Sequence, residues 1–309
     1  MDQLDFEGRV AVVTGAGRGI GRAYAHLLGA RGARVVVNDL GSSMGGDGAD
    51  EHPAASVASE IVAAGGEAVA DTSDVATVEG AGTLIGTAVA TFGRIDALIN
   101  NAGIMRWAGM PDVDEENLAK HLAVHVHGSF NTTRAAWPHF VEQGYGRIVM
   151  TTSAGVFGLP ANTSYATAKG GLIGMTRSIR LVGSKHGIKV NLIAPAAWTR
   201  MADPTGDDAD EDDPMATQMA PELVAPMVAY LAHEDCPVSG EIYAAGAGRF
   251  SRIFLATTPG YVHEGVAPTI EDVAEHWAAI NDETGYAVPA DLGRWSAAFL
   301  AHLPAPDAE

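Results

Sequence analysis

Thiols are nearly absent from this chain: there is one cysteine, Cys236, in 309 residues. It cannot close an internal disulfide, and with no second thiol nearby it reads as a packed residue rather than a nucleophile. Positive charge is scarce too, with 19 Lys and Arg against 38 Asp and Glu and a formal net charge of −19. Nucleic acids and anionic membranes both demand a dense positive face, so neither is expected as a partner. No apolar run approaches the roughly 18 residues that a membrane helix needs, and the opening Met-Asp-Gln-Leu-Asp has no basic region followed by an apolar one. The expectation is a cytoplasmic protein. Metal-ligand spacing is also missing. His121 and His125 stand one helical turn apart, but no Glu lies between them and no third ligand is spaced to complete a site, so they read as core or hydrogen-bonding histidines. From Asp203 to Asp213 seven of eleven positions are carboxylates. They lack calcium-loop spacing, which leaves a solvated loop and no assigned metal.

What is present alternates. The apolar run Val10 to Val13 passes into Thr14-Gly15-Ala16-Gly17-Arg18-Gly19-Ile20-Gly21, and Ala23, Leu27 and Leu28 follow at helical spacing. A strand, a glycine turn and a helix in that order let the backbone approach a diphosphate and present free N–H groups to it. The run Arg34 to Asn38 closes on Asp39, an acidic residue at the tip of a second strand that can accept both hydroxyls of an adenosine ribose and repel a 2′-phosphate. That favours NAD over NADP; Arg18 pulls mildly the other way, and Leu40 supplies no second positive group. A polar loop covers 41–53. Helices are predicted near 54–64, 78–92 and 114–143, with strands at 67–70, 96–100 and 146–152. A helix from after Pro160 to about Lys185, a strand at 188–194 and a seventh at 240–244 complete the series. This pattern predicts an α/β fold, a doubly wound parallel seven-stranded sheet (Rossmann-like) with its ligand crevice at the strand C-terminal ends.

Residues 1–249 form that domain, and 250–309 a C-terminal helical extension. In the extension Thr269 caps a helix whose Ile270, Val273, Trp277 and Ile280 share a face, and Leu292, Trp295, Phe299 and Leu303 do so in a second helix. Helices this short are not stable alone, so they are expected to pack on the core or on a partner subunit. Tyr165 and Lys169 fall one turn apart on the helix after Pro160, which puts a phenol and an ammonium on one face. A nearby positive charge favours the phenolate, making the pair a poised base.

Thr14-Gly15-x-x-x-Gly19-x-Gly21, Asn100-Asn101-Ala102-Gly103, Tyr165-x-x-x-Lys169 and Asn191-x-x-x-Pro195 stand in one order. Over residues 6 to about 248 the chain resembles the short-chain dehydrogenase/reductase family. Within it, Val36 to Gly41, Val124 to Phe130 and Ala194 to Met201 resemble the branch formed by the (3R)-hydroxyacyl-CoA dehydrogenase units of multifunctional enzymes. The resemblance implies that Tyr165 is the acid/base, that Lys169 lowers its pKa and holds the nicotinamide ribose, and that a hydroxyl shortly upstream orients the substrate oxygen. It implies that Gly15, Arg18, Gly19, Ile20 and Gly21 line the diphosphate, Asp39 the adenosine ribose, Asp74 and Val75 the adenine, and Asn101, Ala102 and Gly103 the middle of the cofactor. Pro195, Ala197 and Thr199 would meet the nicotinamide end.

Three positions depart from the family. Counting back from Tyr165, its serine falls on Thr152, with Ser153 one residue late, so the orienting hydroxyl is Thr152 or Ser153. His125 replaces the usual Asn that anchors a relay water, and Thr199 stands one residue nearer Pro195. Taken together, the expectation is an NAD-dependent enzyme, a homodimer or homotetramer without a further catalytic domain. It would interconvert a secondary alcohol and a ketone, with 3-hydroxyacyl-CoA as one substrate and an uncharged steroid or terpenoid alcohol as the alternative. The acidic run opposes the charged ester unless Arg106, Arg200 or Arg249 compensates. A dinucleotide sensor without chemistry is the rival outside the enzymes, and the intact Tyr165 and Lys169 argue against it.

Overall fold

The computed structural model describes residues 3–199, 201, 214–265 and 267–303. Arg200 and the acidic run Asp203 to Asp213 lie outside the described residues. The chain divides into two units, Met1–Arg252 and Ile253–Glu309.

The first unit alternates strands and helices as its apolar periodicity requires: β1 Val10–Thr14, α1 Gly19–Ala30, β2 Arg34–Asn38, α2 His52–Ala63, β3 Glu67–Asp71, α3 Val78–Phe92 and β4 Ala97–Asn100. After these come α4 Glu115–His121, a π-helical segment Leu122–His127, α5 Gly128–Gln143, β5 Gly146–Thr151, α6 Thr163–Gly183 and β6 Ile188–Pro195. The series continues through α7 Pro214–Gln218, α8 Ala225–Ala232, β7 Ile242–Gly246 and β8 Arg249–Ile253.

The strands form one sheet in the order β3-β2-β1-β4-β5-β6-β7-β8. The pairs from β3 through to β7 are parallel, with Val13 opposite Val37 on one side and Ile99 on the other. Strands covered on both faces need apolar residues at every position rather than at alternate ones. Accordingly, Val10 to Val13 and Val35 to Val37 are wholly buried. Successive side chains point to opposite faces. Ala11, Val13, Val35 and Ile99 therefore meet Tyr24 and Leu28 of α1, Ile61 of α2 and Val228 of α8 in one core. On the other side α3 packs on α5, and α6 on β6 and the π-helical segment.

The sheet has one strand more than the seven expected. The residues assigned to the start of the extension instead form β8, after the two-residue connection Ala247-Gly248, whose φ values are 49° and 72°. Two left-handed residues make the tight turn that joins antiparallel strands. This edge strand is exposed and carries Arg249 and Arg252, charges that discourage pairing with another chain.

The second unit contains α9 Ile270–Glu275, α10 Trp277–Ile280 and α11 Leu292–Phe299. Thr269 and Asp272 form the expected capping box. The helix does not run through to Ile280, because it breaks at His276, whose ring stacks on Tyr261 with centroids 3.7 Å apart. Trp295 and Phe299 stack at 4.7 Å on α11.

Candidate active site

Parallel order puts the C-terminal ends of β1, β2, β4, β5 and β6 along one edge of the sheet, and a cleft of about 930 Å³ opens there. Its floor is the glycine turn. The Thr14 hydroxyl accepts from the N–H groups of Asn101 (3.0 Å) and Ala102 (2.9 Å), and Asn101 Nδ2 donates to the carbonyls of Thr14 (2.9 Å) and Gly15 (3.0 Å). The Asn101-Ala102-Gly103 stretch therefore braces the turn from β4. Gly15 takes φ +62°, and a Cβ there would come within 2.8 Å of the Ala102 backbone. Gly21 works differently from the expected diphosphate contact: it does not line the cleft, and a Cβ on it would lie 2.1 Å from the Gly15 carbonyl. Its bareness lets α1 seat directly beneath the turn.

Asp39 closes one end of the cleft. One carboxylate oxygen accepts from Gly17 N–H at 2.8 Å and the other from Gly41 N–H at 2.7 Å, which fixes the carboxylate beside the glycine turn. Arg18, Gly19, Ile20, Asp74, Val75, Asn101, Ala102, Gly103, Pro195, Ala197 and Thr199 all border the same space. A Cβ on Gly17 would fall 2.8 Å from the Asp39 carboxylate, so the cradle depends on the missing side chain. An extended anionic dinucleotide fits this arrangement: bare backbone and a helix start toward a diphosphate, and a fixed carboxylate toward a diol.

The reactive end lies where β5 and α6 meet. Asn162 caps α6 by accepting from Tyr165 N–H at 3.0 Å, and the helix then delivers Tyr165 and Lys169 to the cleft wall. The structure decides between the two candidate hydroxyls. Thr152 is buried, and its hydroxyl is spent on the Lys169 carbonyl at 2.8 Å. Ser153 lines the cleft, accepts from Gly155 N–H at 3.0 Å and stands near enough to the Tyr165 phenol to lower its pKa. Thr152 is thereby removed from the substrate-facing set. Adjacent residues at a strand exit point to opposite sides, and only Ser153 points to the phenol.

Ser153→Ala is therefore expected to lower kcat by about 100-fold, the usual cost of one donor at a developing oxyanion. Thr152→Val should keep most activity and cost about 1 kcal/mol of stability for one lost hydrogen bond. Steady-state rates and urea unfolding of both variants check this assignment, and the reverse ranking of the two rates would overturn it.

The electrostatics of the pair differ from the simple poised base. Lys169 is buried, donates to the Thr151 carbonyl at 2.7 Å and has its pKa pushed down to about 7 by desolvation. Desolvation also raises the Tyr165 pKa, and the Ser153 side chain draws it partly back. The expected depression of the phenol's pKa by Lys169 is thus not what this chain produces by itself, because burial disfavours the charged form of both groups. The ammonium nitrogen stands 5.5 Å from the Tyr165 ring centroid.

His125 packs behind the wall, not on it: a Cβ on Gly103 would lie 2.6 Å from its ring. The ring meets Tyr165 edge-on at 5.4 Å, Nε2 reaches the Ile104 carbonyl at 3.0 Å, and Nδ1 is buried without a partner. Desolvation and the nearby Lys169 lower its pKa, so it is neutral at pH 7. His121 stacks on it, the centroids 5.8 Å apart, and hydrogen-bonds backbone groups through both nitrogens. His127 is exposed. Three contributors escaped the sequence reading. Asn162 carried a usable signal, a cap-type residue three before Tyr165; the apolar wall residues Trp107 and Trp198 carried none.

A family model described as short chain dehydrogenase matches residues 9–210. The chain is 43% identical over 278 residues to a short-chain type dehydrogenase/reductase of Mycobacterium tuberculosis, covering 90% of this chain and 95% of that one. It is 41% identical to the peroxisomal multifunctional enzyme type 2 of Drosophila melanogaster, covering 91% of this chain and 46% of the enzyme. The full-length structure of that enzyme superposes with a TM-score of 0.79 at 33% identity, over 96% of this chain and 50% of that one. A peroxisomal hydratase-dehydrogenase-epimerase of Neurospora crassa is 43% identical over 82% of this chain and 28% of its own length. The chain thus spans less than half of the Drosophila and Neurospora relatives' sequences. The motifs that brace this cleft all fall inside the matched span, and the chain belongs to the short-chain dehydrogenase family.

Proposed function

We propose that this oxidoreductase interconverts a secondary alcohol and a ketone with NAD as cofactor, and that its substrate class is the 3-hydroxyacyl thioester. The observation that carries the reading is the placement of Ser153, Tyr165 and Lys169 at one end of the cleft whose other end holds the glycine turn and Asp39. When bound, the nicotinamide supplies the hydride acceptor or donor. The chain's own residues handle the proton and the oxygen. In oxidation Tyr165 removes the hydroxyl proton through its phenolate, and in reduction it returns that proton to the carbonyl oxygen. The Ser153 hydroxyl aims a hydrogen bond at that oxygen as charge develops on it. Lys169, in its protonated form, holds positive charge beside the phenol, a contribution that fades as pH rises through about 7.

NAD in preference to NADP follows from Asp39, whose fixed carboxylate repels a 2′-phosphate. The Neurospora relative's name supports an alcohol made by hydration, since a hydratase makes an alcohol that a dehydrogenase then oxidises. The thioester class rests on the likeness of Val36 to Gly41, Val124 to Phe130 and Ala194 to Met201 to the (3R)-hydroxyacyl-CoA branch. A second reading, an uncharged bulky alcohol, is favoured by the apolar far wall, which includes Met105, Trp107, Val124, Leu159 and Trp198.

The deciding experiment follows reduced cofactor formation with NAD and NADP against 3-hydroxyacyl-CoA and neutral secondary alcohols, at low and high salt. NAD should be used at least about tenfold better, since one repulsive contact on the 2′-phosphate is worth about 1.4 kcal/mol or more. Strong salt dependence confined to the ester would mark charge recognition. No reduction of either cofactor by any alcohol would overturn the reading.

A further inference from the structure

The Arg106 peptide is gripped by three buried side chains that have no part in the chemistry above. Asn117 Nδ2, from α4, donates to the Arg106 carbonyl at 3.1 Å, and Asn162 Nδ2, from the head of α6, donates to the same oxygen at 3.1 Å. His121 Nε2 accepts from the Arg106 N–H at 3.4 Å. Its Nδ1 lies 2.8 Å from the Asn117 carbonyl, and donating there leaves Nε2 as the acceptor. Asn117 is 7% exposed, and His121 and Asn162 are wholly buried. The Arg106 guanidinium takes no part in this grip and reaches Glu116 at 3.4 Å.

The residues on either side of this peptide, Met105 and Trp107, line the cleft. Asn162 is also the residue whose Oδ1 accepts from Tyr165 N–H, and its Nδ2 lies 3.0 Å from Met105 Sδ. A single side-chain amide therefore ties the substrate wall to the helix that carries the phenol. His121 adds a second tie, because its ring also stands edge-on to Tyr165, the centroids 6.2 Å apart.

We infer that Asn117, His121 and Asn162 are positioning residues that set substrate selectivity, by holding the Met105–Trp107 wall at a fixed offset from Tyr165. The inference rests on the dehydrogenase reading and names what that site discriminates. A long apolar alcohol leans on the wall and is aligned by it. A compact alcohol reaches Ser153 and Tyr165 without touching it. Loosening the grip then penalises the long substrate selectively, since misplacement by about 1 Å costs up to about 100-fold in rate.

The test uses the full chain with NAD, comparing 2-butanol with 2-decanol, in wild type, Asn117→Ala and His121→Phe. Asn117→Ala leaves the Arg106 carbonyl its second donor, and His121→Phe keeps an aromatic ring against His125 and Tyr165 while removing both nitrogens. In each variant the kcat/KM ratio of 2-decanol to 2-butanol should fall about tenfold, an effect of about 1.4 kcal/mol. The fall should arise from a higher KM for 2-decanol, with kcat on 2-butanol changing by a smaller factor. If His121→Phe fails to fold, as judged by circular dichroism, Asn117→Ala decides alone. An unchanged ratio, or parallel loss of kcat on both alcohols, would overturn the inference and leave the dehydrogenase reading intact. A wild-type protein that oxidises neither alcohol would overturn the inference, and one that oxidises no hydroxyacyl thioester either would overturn the dehydrogenase reading as well.

Discussion

Tyr165→Phe should lower turnover by about a thousandfold while leaving dinucleotide affinity within about twofold, since a positioned acid/base contributes 10²- to 10⁴-fold. The substitution is unusually clean here. Phenylalanine keeps the ring that meets His125 and His121 edge-on, so packing is preserved and only the oxygen is lost. The glycine turn and Asp39 are braced by contacts that do not involve Tyr165. Because burial raises the phenol's pKa above its ordinary 10, wild-type oxidation should speed up as pH rises from neutral, while reduction, which uses the protonated phenol, should not slow on that account until pH passes 10. Stopped-flow rates and a fluorescence titration with reduced cofactor separate chemistry from binding. A variant that retains a tenth of wild-type turnover would remove Tyr165 from the proton-transfer role.

Lys169→Met should be more stable than the wild type and nearly inactive. Lys169 has a folded-state pKa of about 7 against an ordinary value of 10.5. Between those two values the unfolded chain holds one proton more than the folded chain, so stability rises with pH across that window. At and below pH 7 the folded state carries most of the cost of a buried charge. Methionine fills similar space without that charge, and the hydrogen bond to the Thr151 carbonyl that it forfeits is worth about 1 kcal/mol. The net gain is on the order of 3 kcal/mol at pH 6 to 7, taking about 1.4 kcal/mol for each tenfold in proton affinity and allowing for relaxation. A rise in Tm of about 5 °C follows. The gain should shrink as pH rises through that window and be nearly gone near pH 10.5, where the folded-state lysine is neutral and the unfolded one half so. Activity should fall about 100-fold or more with the charge beside the phenol. Paired melting curves at pH 6.5 and 10.5 test this, and a variant less stable than the wild type at pH 6.5 would contradict it.

The stability that Lys169 gives up marks where this fold departs from its own best packing. Val10 to Val13, Val35 to Val37 and Ile148 to Met150 fill the core with no buried charge among them. At the cleft edge the same sheet accepts a lysine with its amine on a backbone carbonyl, along with a buried imidazole nitrogen on His125 that has no partner. Sites that break local packing rules in this way are usually functional.

Much of the architecture was legible in the residues because its causes are local. Continuous apolar runs specify strands buried on both faces, and Thr269 marks a helix start with a side chain that accepts a backbone N–H. The glycine turn, Asp39 and the Tyr165–Lys169 pair are set by spacing along a strand, a turn or one helical turn, and all of them border the cleft. What the residues alone could not decide was whatever depends on partners far along the chain. Thr152 and Ser153 are chemically equivalent on paper, and only the position of α6 shows which hydroxyl faces the phenol and which is spent on a carbonyl. The proton affinity of Lys169 depends on how completely β5 and α6 exclude water from it, which no spacing encodes. The grip on the Arg106 peptide joins residues 106, 117, 121 and 162 through hydrogen bonds that exist only once α4 and α6 lie side by side. Periodicity is a property of neighbours in sequence, whereas desolvation and hydrogen-bond geometry are properties of neighbours in space.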